Sequence, residues 1–168
     1  MNAIQLCFFR HGIAVERGDP SVSSDADRPL TEQGIRKTRA AAAGLERLGV
    51  GFDKILTSPW LRASQTADIL AQTLGLSRVE TLPELAGDCS VDELLDALAG
   101  RHGRATLLVG HQPLLGAAAG ELLAPGADIE IDLKKSGACA VEVDALPPRS
   151  RATLLWLLTS KQLRRIGK

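Results

Sequence analysis

Short apolar runs alternate along the chain with longer stretches whose apolar residues recur every three or four positions. The runs at 3–9, 53–57, 105–109, 138–143 and 152–158 are rich in Ile, Leu, Val or Phe and predict strands, with a further strand near 79–82. A first helix is predicted from Thr31 as N-cap, with Ile35, Thr38, Ala42, Leu45 and Leu48 at helical spacing and Gly49 closing it. A second is predicted from Ser58-Pro59, Ser58 as cap and Pro59 at the first helical position. Its inner face would be Ala63, Ala67, Leu70 and Leu74, ending at Gly75. A third covers about 90–99, and a fourth follows Gln112-Pro113 to about Leu123. Strands alternating with helices imply an α/β fold, three layers deep, with a mostly parallel central sheet. The final two strands flank Leu146-Pro147-Pro148-Arg149-Ser150, a turn-like connection that predicts a hairpin at one edge.

The 168 residues show no repeat, no low-complexity tract and no composition shift, so one domain over 1–168 is expected. Hydrophobic content of 45% and charged content of 24% exclude wholesale disorder. Lys+Arg and Asp+Glu both number 20, which argues against broad binding to nucleic acid or anionic membrane and leaves room for a local basic pocket. Only 3% of residues are aromatic, too few for a stacking surface. Cys7, Cys89 and Cys139 form no C-x-x-C pair and read as free thiols in a reducing compartment. The start of the chain lacks the basic segment and apolar length of a signal peptide. Ala152 to Leu158 falls far short of the roughly 20 residues that span a bilayer. A cytoplasmic location is expected.

In such a sheet, ligands bind beyond the carboxyl ends of the strands. Three of these junctions carry unusual residues: Arg10-His11-Gly12, Ser58-Pro59-Trp60-Leu61-Arg62 and Gly110-His111-Gln112-Pro113. Two arginines and two histidines should therefore converge beside helix N-termini. That is an anion site, and phosphate fits best because Arg offers bidentate donors to its oxygens. Each element alone reads more simply as a turn, a cap or a solvated residue; the joint occurrence carries the inference. His102, in Gly100-Arg101-His102-Gly103-Arg104, is expected in an exposed turn, and no metal site is expected.

These junctions, with Leu30-Thr31-Glu32-Gln33-Gly34 and Ser58-Pro59-x-x-Arg62-Ala63-x-Gln65-Thr66, closely resemble the histidine phosphatase superfamily, the phosphoglycerate-mutase-like group with the Arg-His-Gly signature. The short length, the run Asp27-Arg28-Pro29-Leu30-Thr31 and the run Leu133-Lys134-Lys135-Ser136-Gly137 resemble its SixA-type phosphohistidine phosphatases. The resemblance implies His11 as the nucleophile that accepts the phosphoryl group, and Arg10, Arg62 and His111 as its oxygen-binding residues. It implies no cofactor and no metal, the arginines supplying the positive charge that phosphoryl transfer requires. Glu84, in Leu82-Pro83-Glu84-Leu85, matches the position of the superfamily's carboxylic general acid and reads equally as a solvated loop carboxylate; Asp88 is the poorer candidate.

The Glu-Thr pair that follows Arg-His-Gly in many members is replaced by Ile13-Ala14-Val15-Glu16-Arg17, which weighs against sugar-phosphate specificity. The segment before residue 105 holds one short helix and lacks the large helical lid of bigger relatives, which predicts an open cleft suited to a phosphorylated side chain on a protein. The leading expectation is hydrolysis of phosphohistidine on a signalling or phosphotransfer protein. The alternatives are a small phosphate ester as substrate by the same mechanism, and a phosphate-binding module without turnover. The basic tail from Lys161 to Lys168 is expected to be a solvated terminus, and the Gly18 to Asp27 stretch a mobile loop.

Overall fold

The computed structural model describes residues 3–129 and 131–168. Six strands, β1 (Ile4–Arg10), β2 (Lys54–Thr57), β3 (Val79–Thr81), β4 (Ala105–Gly110), β5 (Ala138–Val143) and β6 (Thr153–Leu158), form one sheet in the order β3-β2-β4-β1-β5-β6. The first four are mutually parallel; β5 runs antiparallel to β1, and β6 antiparallel to β5, as the predicted edge hairpin requires. Among the described residues five α-helices cover the sheet: α1 (Glu32–Arg47), α2 (Leu61–Leu74), α3 (Val91–Ala99), α4 (Leu114–Leu123) and α5 (Ser160–Ile166). Among the described residues no helix is long and apolar enough to cross a membrane.

Strand alternation sorts the core into two halves. Leu6 and Phe8 of β1 join Leu56, Leu108 and the leucines of α3 and α4, while Cys7 and Phe9 join Ile55, Val109 and the alanines of α1 and α2. Those alanines let the helices lie close to the sheet. The predicted cap holds at α1, where the Thr31 hydroxyl accepts the Gly34 N–H at 3.0 Å. At α3, Ser90 and Glu93 close a reciprocal capping box.

Two expectations are corrected. Helix α2 begins at Leu61, not at Ser58-Pro59, and Trp60 occupies its cap position without a side-chain bond. The tail is not a solvated terminus: Thr159 and Gln162 cap α5, and the fully buried Leu163 packs with Ala41, Ala42 and Leu45 of α1. A Cβ on Gly44 would stand 2.1 Å from the Leu163 carbonyl oxygen, so α1 needs glycine there for α5 to dock. One leucine among basic residues left too short a period for the sequence to declare this helix.

Candidate active site

Strand register builds the site. Arg10 and Gly110 are partners at the ends of β1 and β4, so the residues that follow, His11 and His111, emerge side by side with ring centroids 4.8 Å apart. Arg62 comes from the first turn of α2, beyond β2. All four lie around one cleft of about 320 Å³, whose walls also carry Arg17, Arg28, Trp60, Asp88 and Lys135. Five cationic side chains against the Asp88 carboxylate, with the Asp25 carboxylate paired to three of them, leave the cleft electropositive in a chain of zero net charge. A larger recess of about 620 Å³, between α3, α4 and the β5–β6 connection, sets Asp92, Asp96 and Glu121 beside Arg149 and Arg151 and is lined by no histidine or cysteine. The smaller cleft is the one that gathers the two imidazoles and the arginines.

The His11 Nδ1 lies 2.7 Å from the Gly12 carbonyl oxygen. A carbonyl only accepts, so Nδ1 carries the hydrogen and the Nε2 lone pair remains available. Arg62 Nε donates to that Nε2 at 3.3 Å. Gly12 has no room for a side chain, because a Cβ would stand 2.4 Å from the Thr38 hydroxyl. Its N–H donates to Thr66, whose hydroxyl in turn donates to the Arg62 carbonyl, so the Gln65-Thr66 pair ties β1 to α2. Gln65 completes the tie by accepting the Leu30 N–H.

The Arg10 guanidinium donates through Nη1 to the Leu133 carbonyl at 2.8 Å, while its Nε is buried without a hydrogen-bond partner. The Ser136 N–H bonds the Arg10 carbonyl, and the Arg10 N–H bonds Gly137. The Leu133-to-Gly137 run is thus a brace for Arg10, a role its sequence did not disclose. Lys135, within the same run, borders the cleft.

Arg62 is 3% exposed and donates from Nη1 to the Asp25 carbonyl at 2.6 Å and from Nη2 to the Asp25 carboxylate at 3.2 Å. The same carboxylate accepts from Arg17 and Arg28. Burial alone would raise its pKa, but the bonds and charges of Arg17, Arg28 and Arg62 hold it down at about 2. Asp25, near the end of the stretch expected to be mobile, is thus ion-paired to Arg62 of the site. Asp25 was missed because nothing in its local pattern ties a loop carboxylate to an arginine 37 positions away. His111 Nε2 lies 2.9 Å from the Ser58 hydroxyl, which read as a helix cap. The Trp60 ring leans on His111, and the Arg62 guanidinium carbon sits 4.5 Å from the Trp60 ring centroid.

Glu84 is the one candidate that the structure does not bring to the cleft. It sits in a short 3₁₀ turn, Pro83–Ala86, with its Oε2 buried and unpartnered. The left-handed Gly87 that follows turns the chain so that Ala86, Gly87 and Asp88 form the wall instead. His102 lies apart, half-buried, with Nδ1 against the Gly103 carbonyl.

Burial, chiefly, pushes the pKa of both histidines down to about 3; His111 and the arginines add to the effect on His11, and Arg62 to that on His111. Both rings are neutral at pH 7. The unfolded chain protonates its histidines near 6.5, so between about pH 6.5 and 3 it binds more protons than the folded protein. Stability therefore falls as pH drops through that window, by at most about 1.4 kcal/mol per histidine per pH unit. The contribution of Asp25 is lost only below its ordinary 3.8, outside the upper part of the window. Urea midpoints at pH 7 and pH 5 should separate more for the wild type than for a His11→Gln, His111→Gln double variant; equal separations would contradict the assignment.

The profile of the histidine phosphatase superfamily (branch 1) matches residues 6–87. The chain is 38% identical over 161 residues to an uncharacterized protein of Picosynechococcus, covering 94% of this chain and 96% of that protein. It is 37% identical over 123 residues to the phosphohistidine phosphatase SixA of Escherichia coli, covering 71% of this chain and 74% of SixA. The structure of the protein histidine phosphatase SixA complexed with tungstate superposes with a TM-score of 0.80 at 30% identity, over 95% of this chain and 99% of that one.

Proposed function

The chain belongs to the histidine phosphatase superfamily and is a hydrolase of that type, and from this premise we propose that it removes the phosphoryl group from phosphohistidine on a cytoplasmic phosphotransfer protein. The observation that carries the reading is the lone pair of His11 Nε2, turned to Arg62 within a cleft of five cations. His11 Nε2 attacks phosphorus in line as the bond to the substrate imidazole breaks, and the phosphoryl group passes to His11. Arg10, Arg62 and His111 hold its oxygens, where charge accumulates. Water then attacks the phosphorylated His11, inorganic phosphate leaves, and Nε2 regains its lone pair.

Two features favour phosphohistidine over an ester. Between β3 and β4 the chain builds only the 3₁₀ turn and the nine-residue α3, so the cleft mouth stays open to a side chain standing on a protein surface. An imidazole also leaves with less help from an acid than an alkoxide does, which suits a cleft that Glu84 does not line. Asp88 favours the second reading, a small phosphate ester, because it is the carboxylate positioned at the wall to protonate an alkoxide. Phosphate release from a phosphohistidine-bearing phosphotransfer protein, run beside p-nitrophenyl phosphate and a sugar phosphate, decides between them. Preferred release from the protein is expected. Turnover of esters with none from phosphohistidine would overturn the reading and make Asp88 the residue to test.

A further inference from the structure

We propose that Ser58 is a positioning residue whose hydroxyl holds His111 in the tautomer bearing hydrogen on Nδ1, so that His111 meets the phosphoryl group as a neutral donor. The identity of the ligand rests on the function proposed above; the tautomer does not. Helix α2 starts three residues beyond Ser58, which frees the hydroxyl from the capping role its sequence position suggests. Ser58 is fully buried, and its Oγ accepts the Trp60 N–H at 3.2 Å and meets His111 Nε2 at 2.9 Å. The Trp60 N–H can only donate. Among the described residues, the hydroxyl's own hydrogen is then left with the His111 ring nitrogen as its acceptor.

A buried hydroxyl hydrogen left unbonded is costly, so Ser58 donates, Nε2 accepts, and the neutral ring carries its hydrogen on Nδ1. The opposite tautomer would strand the Ser58 hydrogen and present an acceptor lone pair to an incoming anion. The two neighbouring histidines are thus both neutral, both protonated on Nδ1, and opposite in use. A carbonyl acceptor at Nδ1 leaves His11 with a free Nε2 lone pair to attack. A hydroxyl donor at Nε2 leaves His111 with a free N–H to bind. One chemical group beside each ring divides nucleophile from donor.

The test reads the ring directly. Long-range proton–nitrogen correlation spectra of the full chain should show His111 protonated on Nδ1 in the wild type. In Ser58→Ala the Nε2-protonated form should appear, and Ser58→Thr should restore the wild-type spectrum. A wild-type His111 protonated on Nε2, or a tautomer unchanged in Ser58→Ala, overturns the proposal even if no substrate is turned over. With a phosphohistidine protein as substrate, Ser58→Ala should lower kcat/KM about tenfold in the wild-type background and negligibly in a His111→Ala background. Equal losses in both backgrounds would show a structural role for Ser58 instead.

Discussion

Replacing His11 by alanine is expected to abolish turnover, with kcat falling on the order of a millionfold, the scale reached when a covalent nucleophile is deleted. The expectation rests on two features of the ring. Its Nδ1 hydrogen is committed to the Gly12 carbonyl, so the reactive atom is Nε2 whenever the ring is neutral. A pKa near 3 keeps the ring neutral throughout the physiological range. Neither His111 nor the arginines can take over, because Nε2 of His111 is bonded to Ser58 and the guanidinium groups are permanently cationic. The fold should survive, since the β1–β4 register and the His11 N–H bond to Gly110 are backbone interactions. Acid-labile, alkali-stable phosphate trapped on wild-type protein and missing from His11→Ala would complete the result. Unchanged turnover in the variant would sink the mechanism.

How much of this site the sequence disclosed depends on the range of the interaction involved. Arg10, His11, Arg62 and His111 were legible because each follows an apolar strand, and a parallel sheet brings such junctions to one edge whatever the loops do. Their convergence needs only the strand order. Ser58 was visible but misread: Ser-Pro before a helix is a cap by local rules, whereas the helix starts at Leu61 and the Ser58 hydroxyl meets His111, a partner 53 positions away. Asp25 was invisible, because its partners are Arg17, Arg28 and Arg62, and only the folded loop brings them together. Glu84 shows the reach of a match made along the chain alone. A position matched along the chain did not place its carboxylate at the wall, because the left-handed Gly87 brings Asp88 there. Local chemistry told which residue types gather; the orientation of each depended on contacts far apart in sequence.

Arg62→Ala should lower kcat/KM by roughly 30- to 1000-fold, the equivalent of about 2–4 kcal/mol for removing one donor that stabilises transition-state charge. Arg62 contributes more than its charge. Its Nε points at the nucleophilic Nε2, so in the free protein it holds the lone pair, and when a phosphoryl group arrives the same hydrogen can pass to an oxygen beside the reacting bond. The Nη atoms meanwhile anchor Asp25, and through it Arg17 and Arg28 at the cleft mouth. Alanine therefore removes a donor and also loosens these ion pairs, leaving two arginines to share a carboxylate that has lost its buried partner. Arg62→Lys separates these contributions. Lysine keeps the positive charge but has no planar fork, so it cannot serve His11 and Asp25 together. If charge alone mattered, the lysine variant would retain most activity; a loss close to that of alanine is expected instead. The same ordering should hold for inhibition by inorganic phosphate, weakest in alanine, slightly stronger in lysine and strongest in the wild type. An Arg62→Ala variant within threefold of wild type in both measurements would remove Arg62 from the phosphoryl site.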